Sequence, residues 1–215
     1  MALLFDVDGV IIDSMPLHRE SWKIYLERHG IQPGDIDGRM HGKRNDEIVP
    51  DYFGAHLSPD EVFQHGARKE ALYREMMAAR FERHLVPGVR EFIRALTGAP
   101  LGVGSNAESE NVRFTLQGAG LEHCFGAIVD GHQVDRGKPH PDVYLRAAAL
   151  LDVEPARCVV FEDSMTGVHA ALAAGARVVG VNTNRTELTG VHLEIADFHD
   201  PRLPAWLHSQ GWLAG

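Results

Sequence analysis

The chain has 215 residues, 44% of them hydrophobic, enough for one substantial core or a core with a small accessory domain. Its 30 Asp and Glu against 21 Lys and Arg give a formal net charge of −9 with no dense basic run, which argues against a nucleic-acid partner. No apolar stretch approaches the roughly 20 residues that span a bilayer, so no membrane association is expected.

The elements begin at once. "LLFDVDGVIIDS", residues 3–14, opens as a buried strand with no basic leader before it, yet Asp6, Asp8 and Asp13 interrupt it. Burying an ionised carboxylate costs on the order of several kcal/mol unless something pairs with it. Asp13 fits a cap on the helix that follows; Asp6 and Asp8, two residues apart on one strand face, need another account. Gly9 supplies a sharp turn and a bare N–H for an anion.

Residues 14–85 read as an all-helical insert. Pro16 opens one helix, "SPDEV" at 58–62 is a capping-box start for another, and "NDEIVPDYFG" is helical but interrupted at Pro50. After Pro87-Gly88, a boundary or hinge, β and α patterns alternate. Helix 88–97 carries Val89, Phe92, Ile93 and Leu96 at helical spacing, and helix 165–174 is capped by Ser164 and ended by Gly175. The strands are "LGVGSN" (101–106), "AIVDG" (127–131), "CVVFED" (158–163) and "RVVGVN" (177–182). This predicts an α/β fold: a Rossmann-like, doubly wound parallel sheet formed by 1–13 and 86–215, with the helical domain 14–85 inserted. Cys124 and Cys158 have neither metal-site nor redox spacing, so reduced thiols in a cytoplasmic protein are expected.

In open parallel sheets, sites lie beyond the carboxyl ends of the strands. Asp6 and Asp8, Ser105 and Asn106, and Glu162 and Asp163 all fall at such ends, with Lys138 in the loop "DRGKPHPD". Converging carboxylates repel one another unless a cation sits among them, and hard oxygen ligands suit Mg²⁺. One carboxylate of the Asp6/Asp8 pair can attack phosphorus while the other serves as acid and base. "GVGSNA" (102–107) also matches a dinucleotide fingerprint, but Glu122, at the spacing of the required acid, does not end a strand.

"DVDGV", "SN", the Lys of "GKP" and "ED", in this order and spacing, resemble the four motifs of the haloacid dehalogenase superfamily, and "DGVIIDSMPLHRESWK" and "FEDSMTGVHAALAAGARVVGV" resemble its β-phosphoglucomutase-like phosphatase subgroup. The resemblance implies that Asp6 is the nucleophile of a phospho-aspartyl intermediate and Asp8 the general acid/base. It implies Mg²⁺ held by Asp6, the Asp8 carbonyl and Asp163, with Glu162 a further acidic contributor, and phosphoryl contacts from Ser105, Asn106 and Lys138. Asp8 sets the chain apart from the metal-independent dehalogenases, which lack this second Asp.

Specificity then falls to the helical cap, with His18, "HGKRND" (41–46, including Lys43 and Arg44) and Lys69 as candidates. The mutases carry Gly-x-Ser-Arg in the cap, whereas this chain has Gly42-Lys43-Arg44-Asn45, which favours a phosphatase for a small phosphorylated metabolite such as a sugar phosphate. A β-phosphoglucomutase-type enzyme is the alternative. A phospho-accepting regulatory protein is the alternative from another class, although receiver domains are shorter and lack a cap. A monomer or weak homo-oligomer is expected.

Overall fold

The computed structural model describes residues 1–40, 43–96 and 98–211. Six strands form one sheet: β1 (Ala2–Phe5), β2 (Leu101–Gly104), β3 (Ala127–Val129), β4 (Cys158–Glu162), β5 (Arg177–Val181) and β6 (Leu193–Ile195). Their order is β3-β2-β1-β4-β5-β6, and every pairing is parallel. β6 was not foreseen: three residues with an exposed Glu194 at the sheet edge carry too little periodicity to register.

Ser14–Arg83 forms one compact unit, and Met1–Asp13 with the chain from His84 onward forms the other. Helices α1 (Met15–Arg28), α2 (Ile36–Met40), α3 (Asn45–Phe53) and α4 (Pro59–Ala78) build the first, and α5 (Phe81–His84) runs across its end at Arg83. Trp22, Tyr25, Leu26, Ile48, Val49 and Leu72 form its buried core. α4 starts as its sequence requires: Ser58 Oγ accepts from the Glu61 N–H, and Glu61 Oε2 accepts from the Ser58 N–H at 2.8 Å. α3 corrects the expected interruption, since Pro50 lies inside a continuous helix. Only one N–H is missing there, Pro50 O still accepts from Gly54 N at 2.9 Å, and Ile48 and Val49 are buried beside it. Asp13 also departs from expectation. Ser14 occupies the N-cap position of α1, while Asp13 N donates to His84 O at 2.7 Å and His84 Nδ1 donates to Asp13 O at 2.8 Å.

The remaining helices, α6 (Val89–Ala95), α7 (Ser109–Ala119), α8 (Asp142–Leu150), α9 (Met165–Ala173) and α10 (Arg202–Ser209), belong to the sheet unit. Alternation along each strand divides the core into two faces. Leu4, Val160 and Val178 pack with Val143, Ala147, Val168 and Ala171 from α8 and α9. On the other face Phe5 stacks on Phe161 with centroids 4.6 Å apart, joined by Phe92, Phe125 and Phe198. Both faces are therefore covered, which is why the strands read as uninterrupted apolar runs. Among the described residues, no helix is long and apolar enough to cross a membrane.

Removing the α4 cap tests how much local chemistry supports the helical unit. Ser58→Ala should lower stability by about 1 kcal/mol, read as a shift in the denaturant midpoint without a change in slope.

Candidate active site

In this strand order the direction of winding reverses between β1 and β4, and ligands bind outside the carboxyl ends of strands at such a switch point. Asp6 follows the last residue of β1, Glu162 ends β4, and Asp163 comes next. The ladder continues one residue past β1, with Asp6 N donating to Phe161 O at 3.0 Å. All three carboxylates are buried, and one oxygen from each falls within 4.8 Å of the others.

Lys138, also buried, is the ammonium among them. Its Nζ donates to Glu162 Oε1 at 2.6 Å and lies 2.9 Å from Asp6 Oδ1. That Asp6 oxygen is buried, and the Lys138 ammonium is the charge that faces it. Tyr144 of α8 donates to Glu162 Oε1 at 2.5 Å, while Asp163 N, Ser164 N and Ser164 Oγ donate to Oε2 at 3.1, 3.4 and 3.3 Å. Glu162 thus lies within the metal-sized cluster, but five donors consume its lone pairs. Those contacts make it a brace.

Two glycines leave room for this arrangement. A Cβ on Gly9, whose φ is +74°, would overlap the Asp163 carboxylate, and one on Gly167 would overlap that of Glu162. The expected anion-facing N–H of Gly9 is corrected: it donates to Ile12 O at 2.7 Å, so Gly9 serves the site through its missing side chain. Asn106 is likewise engaged differently from the expectation that it contacts phosphate. Its Oδ1 accepts from Lys138 N at 2.9 Å and its Nδ2 donates to Lys138 O at 3.5 Å, so the side chain pins the loop that carries Lys138. Buried Ser105 accepts from Ala107 N at 3.0 Å, which leaves its hydroxyl hydrogen to donate. Asp8 is half-buried, two residues past Asp6. Glu122 sits in a short 3₁₀ turn, not at a strand end, as the rejection of a dinucleotide fold requires.

The electrostatics follow from burial. Burial raises Asp6 to about 7, with Glu162 and Asp8 adding to the rise and Lys138 opposing it. Burial, then Glu162 and Asp6, push Asp163 well above the ordinary carboxylate range. Burial works against the charge on Lys138, but Asp6 and Glu162 outweigh it and raise its pKa. Three carboxylates against one ammonium leave a deficit of positive charge that a divalent cation matches, and the all-oxygen donors suit a hard one.

In the helical unit, Lys69 is buried. Its Nζ donates to His18 Nδ1 at 2.7 Å and to Glu70 Oε1 at 2.8 Å, and Asn45 Nδ2 donates to the same Glu70 oxygen at 3.0 Å. The His18 ring stacks on Tyr73 at 3.9 Å, and Lys69 lies 5.2 Å from the centre of the Trp22 ring. Burial opposes charge on Glu70, but Lys69 and His18 overcome it and hold Glu70 down to about 2. Lys43 is exposed and paired with Asp51 at 2.7 Å, and Arg44 lies 3.8 Å from Asp46. His41 and Gly42 fall outside the described residues. Sequence reasoning passed over Tyr144, Glu70 and Asn184. The first two lie inside helical patterns without a distinguishing signal, whereas Asn184 follows β5 and strand-end logic could have found it.

The haloacid dehalogenase-like hydrolase family model matches residues 1–175. The chain is 31% identical over 195 residues to the β-phosphoglucomutase of Bacillus subtilis, covering 87% of this chain and 85% of that one. It is 34% identical over 185 residues to the fructose-1-phosphate phosphatase YqaB of Escherichia coli, covering 83% and 95%. A solved family IA, variant 3 hydrolase of this type from Entamoeba histolytica superposes with a TM-score of 0.84 at 27% identity, covering 98% of this chain and 99% of that one.

The raised pKa of Asp163 has a measurable consequence. The folded protein keeps this proton to higher pH than the unfolded chain, which loses it near about 3.9, so the group's contribution to stability falls as pH rises above that value. Asp163→Asn should therefore gain stability relative to the parent as pH rises above about 4 in chelator. A melting-temperature difference that stays constant with pH would contradict this.

Proposed function

The chain belongs to the haloacid dehalogenase-like hydrolases, and from that premise we propose that it hydrolyses a small phosphomonoester, a sugar phosphate, through a phospho-aspartyl intermediate with Mg²⁺ bound. The observation that carries this reading is the Asp6 carboxylate, buried at the switch point 2.9 Å from the Lys138 ammonium and clustered with Glu162 and Asp163. In this reading Asp6 attacks phosphorus, the bond from phosphorus to the ester oxygen breaks, and Asp8 gives a proton to the departing alcohol. Asp8 then takes a proton from water as that water attacks the same phosphorus, which releases phosphate and restores Asp6. Ser105 Oγ–H and Lys138 neutralise charge on the phosphoryl oxygens, and Asn106 keeps Lys138 in place.

Asp6 and Asp163, with the Asp8 carbonyl, would hold Mg²⁺, and Glu162 would orient Lys138 and Asp163 around it. The ion supplies charge neutralisation to the phosphoryl group and keeps Asp6 ionised. The helical unit, 14–83, is read as the cap.

The relatives divide between a mutase and a phosphatase. The cap sequence Gly42-Lys43-Arg44-Asn45, without the Gly-x-Ser-Arg of the mutases, supports the phosphatase. A ³¹P NMR time course with Mg²⁺ on a panel including fructose 1-phosphate and β-glucose 1-phosphate tests this. Inorganic phosphate should accumulate; conversion of β-glucose 1-phosphate to glucose 6-phosphate without free phosphate would establish the mutase instead. Asp6→Asn should reduce turnover by at least about 10³-fold in a folded protein, and Asp8→Ala should trap phosphoenzyme detectable by mass spectrometry. Residual turnover near the parent's in Asp6→Asn would refute the nucleophile.

A further inference from the structure

We propose that Asn184 is a positioning residue that orients Asp163 for a divalent cation, and that the loop after β5 is a clip built around this contact. The inference rests on the reading that Mg²⁺ occupies the carboxylate cluster.

Asn184 Nδ2 donates to Asp163 Oδ2. With a cation bound Asp163 would be ionised and offer only lone pairs, and the amide nitrogen is then the group of Asn184 that can donate to it. The same Oδ2 lies against Gly9, where a Cβ would overlap it. Asp163 is therefore held between a bare Cα and an amide donor, with one oxygen committed to the protein and its rotamer set. Outer partners of this kind orient ligating carboxylates and govern metal affinity.

The residues around Asn184 are tied down one by one. Asn182 N donates to Ile195 O at 2.8 Å and Asn182 Nδ2 to Glu194 Oε1 at 2.8 Å, anchoring the loop to β6. Asn182 Oδ1 accepts from Thr186 N at 3.0 Å, closing the loop on itself. Thr183 Oγ1 donates to Gly9 O at 2.8 Å, reaching the turn that follows Asp8. Arg185, with φ of 54°, turns the chain in the left-handed region immediately afterwards. One short loop thus grips both segments that would supply the cation's ligands: the turn after β1 through Thr183 and the end of β4 through Asn184. Neither residue belongs to the four motifs read from the sequence.

The test is Mg²⁺ binding to the full chain without substrate, by isothermal titration, together with melting temperatures in chelator and in saturating Mg²⁺. Asn184→Ala should weaken Mg²⁺ about tenfold and shrink the melting-temperature gain from Mg²⁺, while the melting temperature in chelator changes little. Raising Mg²⁺ should restore much of the lost kcat, an effect a purely structural role would not show. If Asn184→Ala does not fold, Asn184→Ser is measured in the same way, and Thr183→Val should give a smaller loss of Mg²⁺ affinity. Mg²⁺ affinity within about twofold of the parent in Asn184→Ala or Asn184→Ser would overturn the proposal. A parent that binds no Mg²⁺ would overturn the phosphatase reading and this inference together; a parent that binds while the variants bind equally would overturn this inference alone.

Discussion

Mutual repulsion among three carboxylates buried where β1 meets β4 is the constraint around which the sheet unit is arranged. Asp6, Glu162 and Asp163 cannot all be ionised in so small a volume without compensation, and each compensating group has its own structural requirement. Lys138 must arrive from the long loop after β3, so Asn106 holds that loop by its backbone. Tyr144 must reach Glu162 from α8, and Ser164 must cap α9 while also facing Glu162. Gly9 and Gly167 must lack side chains, because the space a Cβ would take is filled by the carboxylates themselves.

The two units contain contrasting solutions to the same burial problem. In the helical unit Glu70 is buried yet held down to about 2, because Lys69, His18 and Asn45 together over-satisfy it. In the sheet unit Glu162 is similarly saturated, whereas Asp6 is pushed up by burial, Glu162 and Asp8, and Asp163 by burial, Glu162 and Asp6. A carboxylate satisfied by the fold serves the fold. One left short of partners at a strand end costs stability, and that cost marks it as available to a ligand.

The surrounding core makes that cost tolerable. Stacked and edge-on phenylalanines bury one face of the sheet beneath the site, and aliphatic residues of α8 and α9 bury the other. The site elements are thus the ends of rigid, doubly covered strands, and their positions are set by ladder registers such as Phe5 opposite Phe161. Pre-organisation of this kind matters because phosphoryl transfer draws on positioning and charge more than on covalent assistance.

Much of this was legible before any coordinates. Apolar runs bounded by Gly and polar residues located β1 to β5, capping chemistry located the starts of α4 and α9, and strand ends pointed to Asp6, Ser105, Glu162 and Asp163, with Lys138 in the loop after β3. These signals are local: a strand's burial on both faces, or a helix's unpaired N–H groups, leave their mark within a few residues. What the sequence could not reveal depends on contacts between distant segments. The Pro50 helix persists because buried neighbours hold it, β6 exists because β5 offers it an edge, and Gly9 N–H is taken by a carbonyl three residues on. Asn106 faces the Lys138 backbone, Lys69 is buried beside Glu70, and Asn184 meets Asp163 from another strand end. The residue types at the site and the sheet that carries them were determined by the sequence alone. Which lone pairs are already spent, and so which carboxylates remain open to a ligand, only the tertiary structure decided, because hydrogen-bond satisfaction belongs to the packed arrangement and to no single segment.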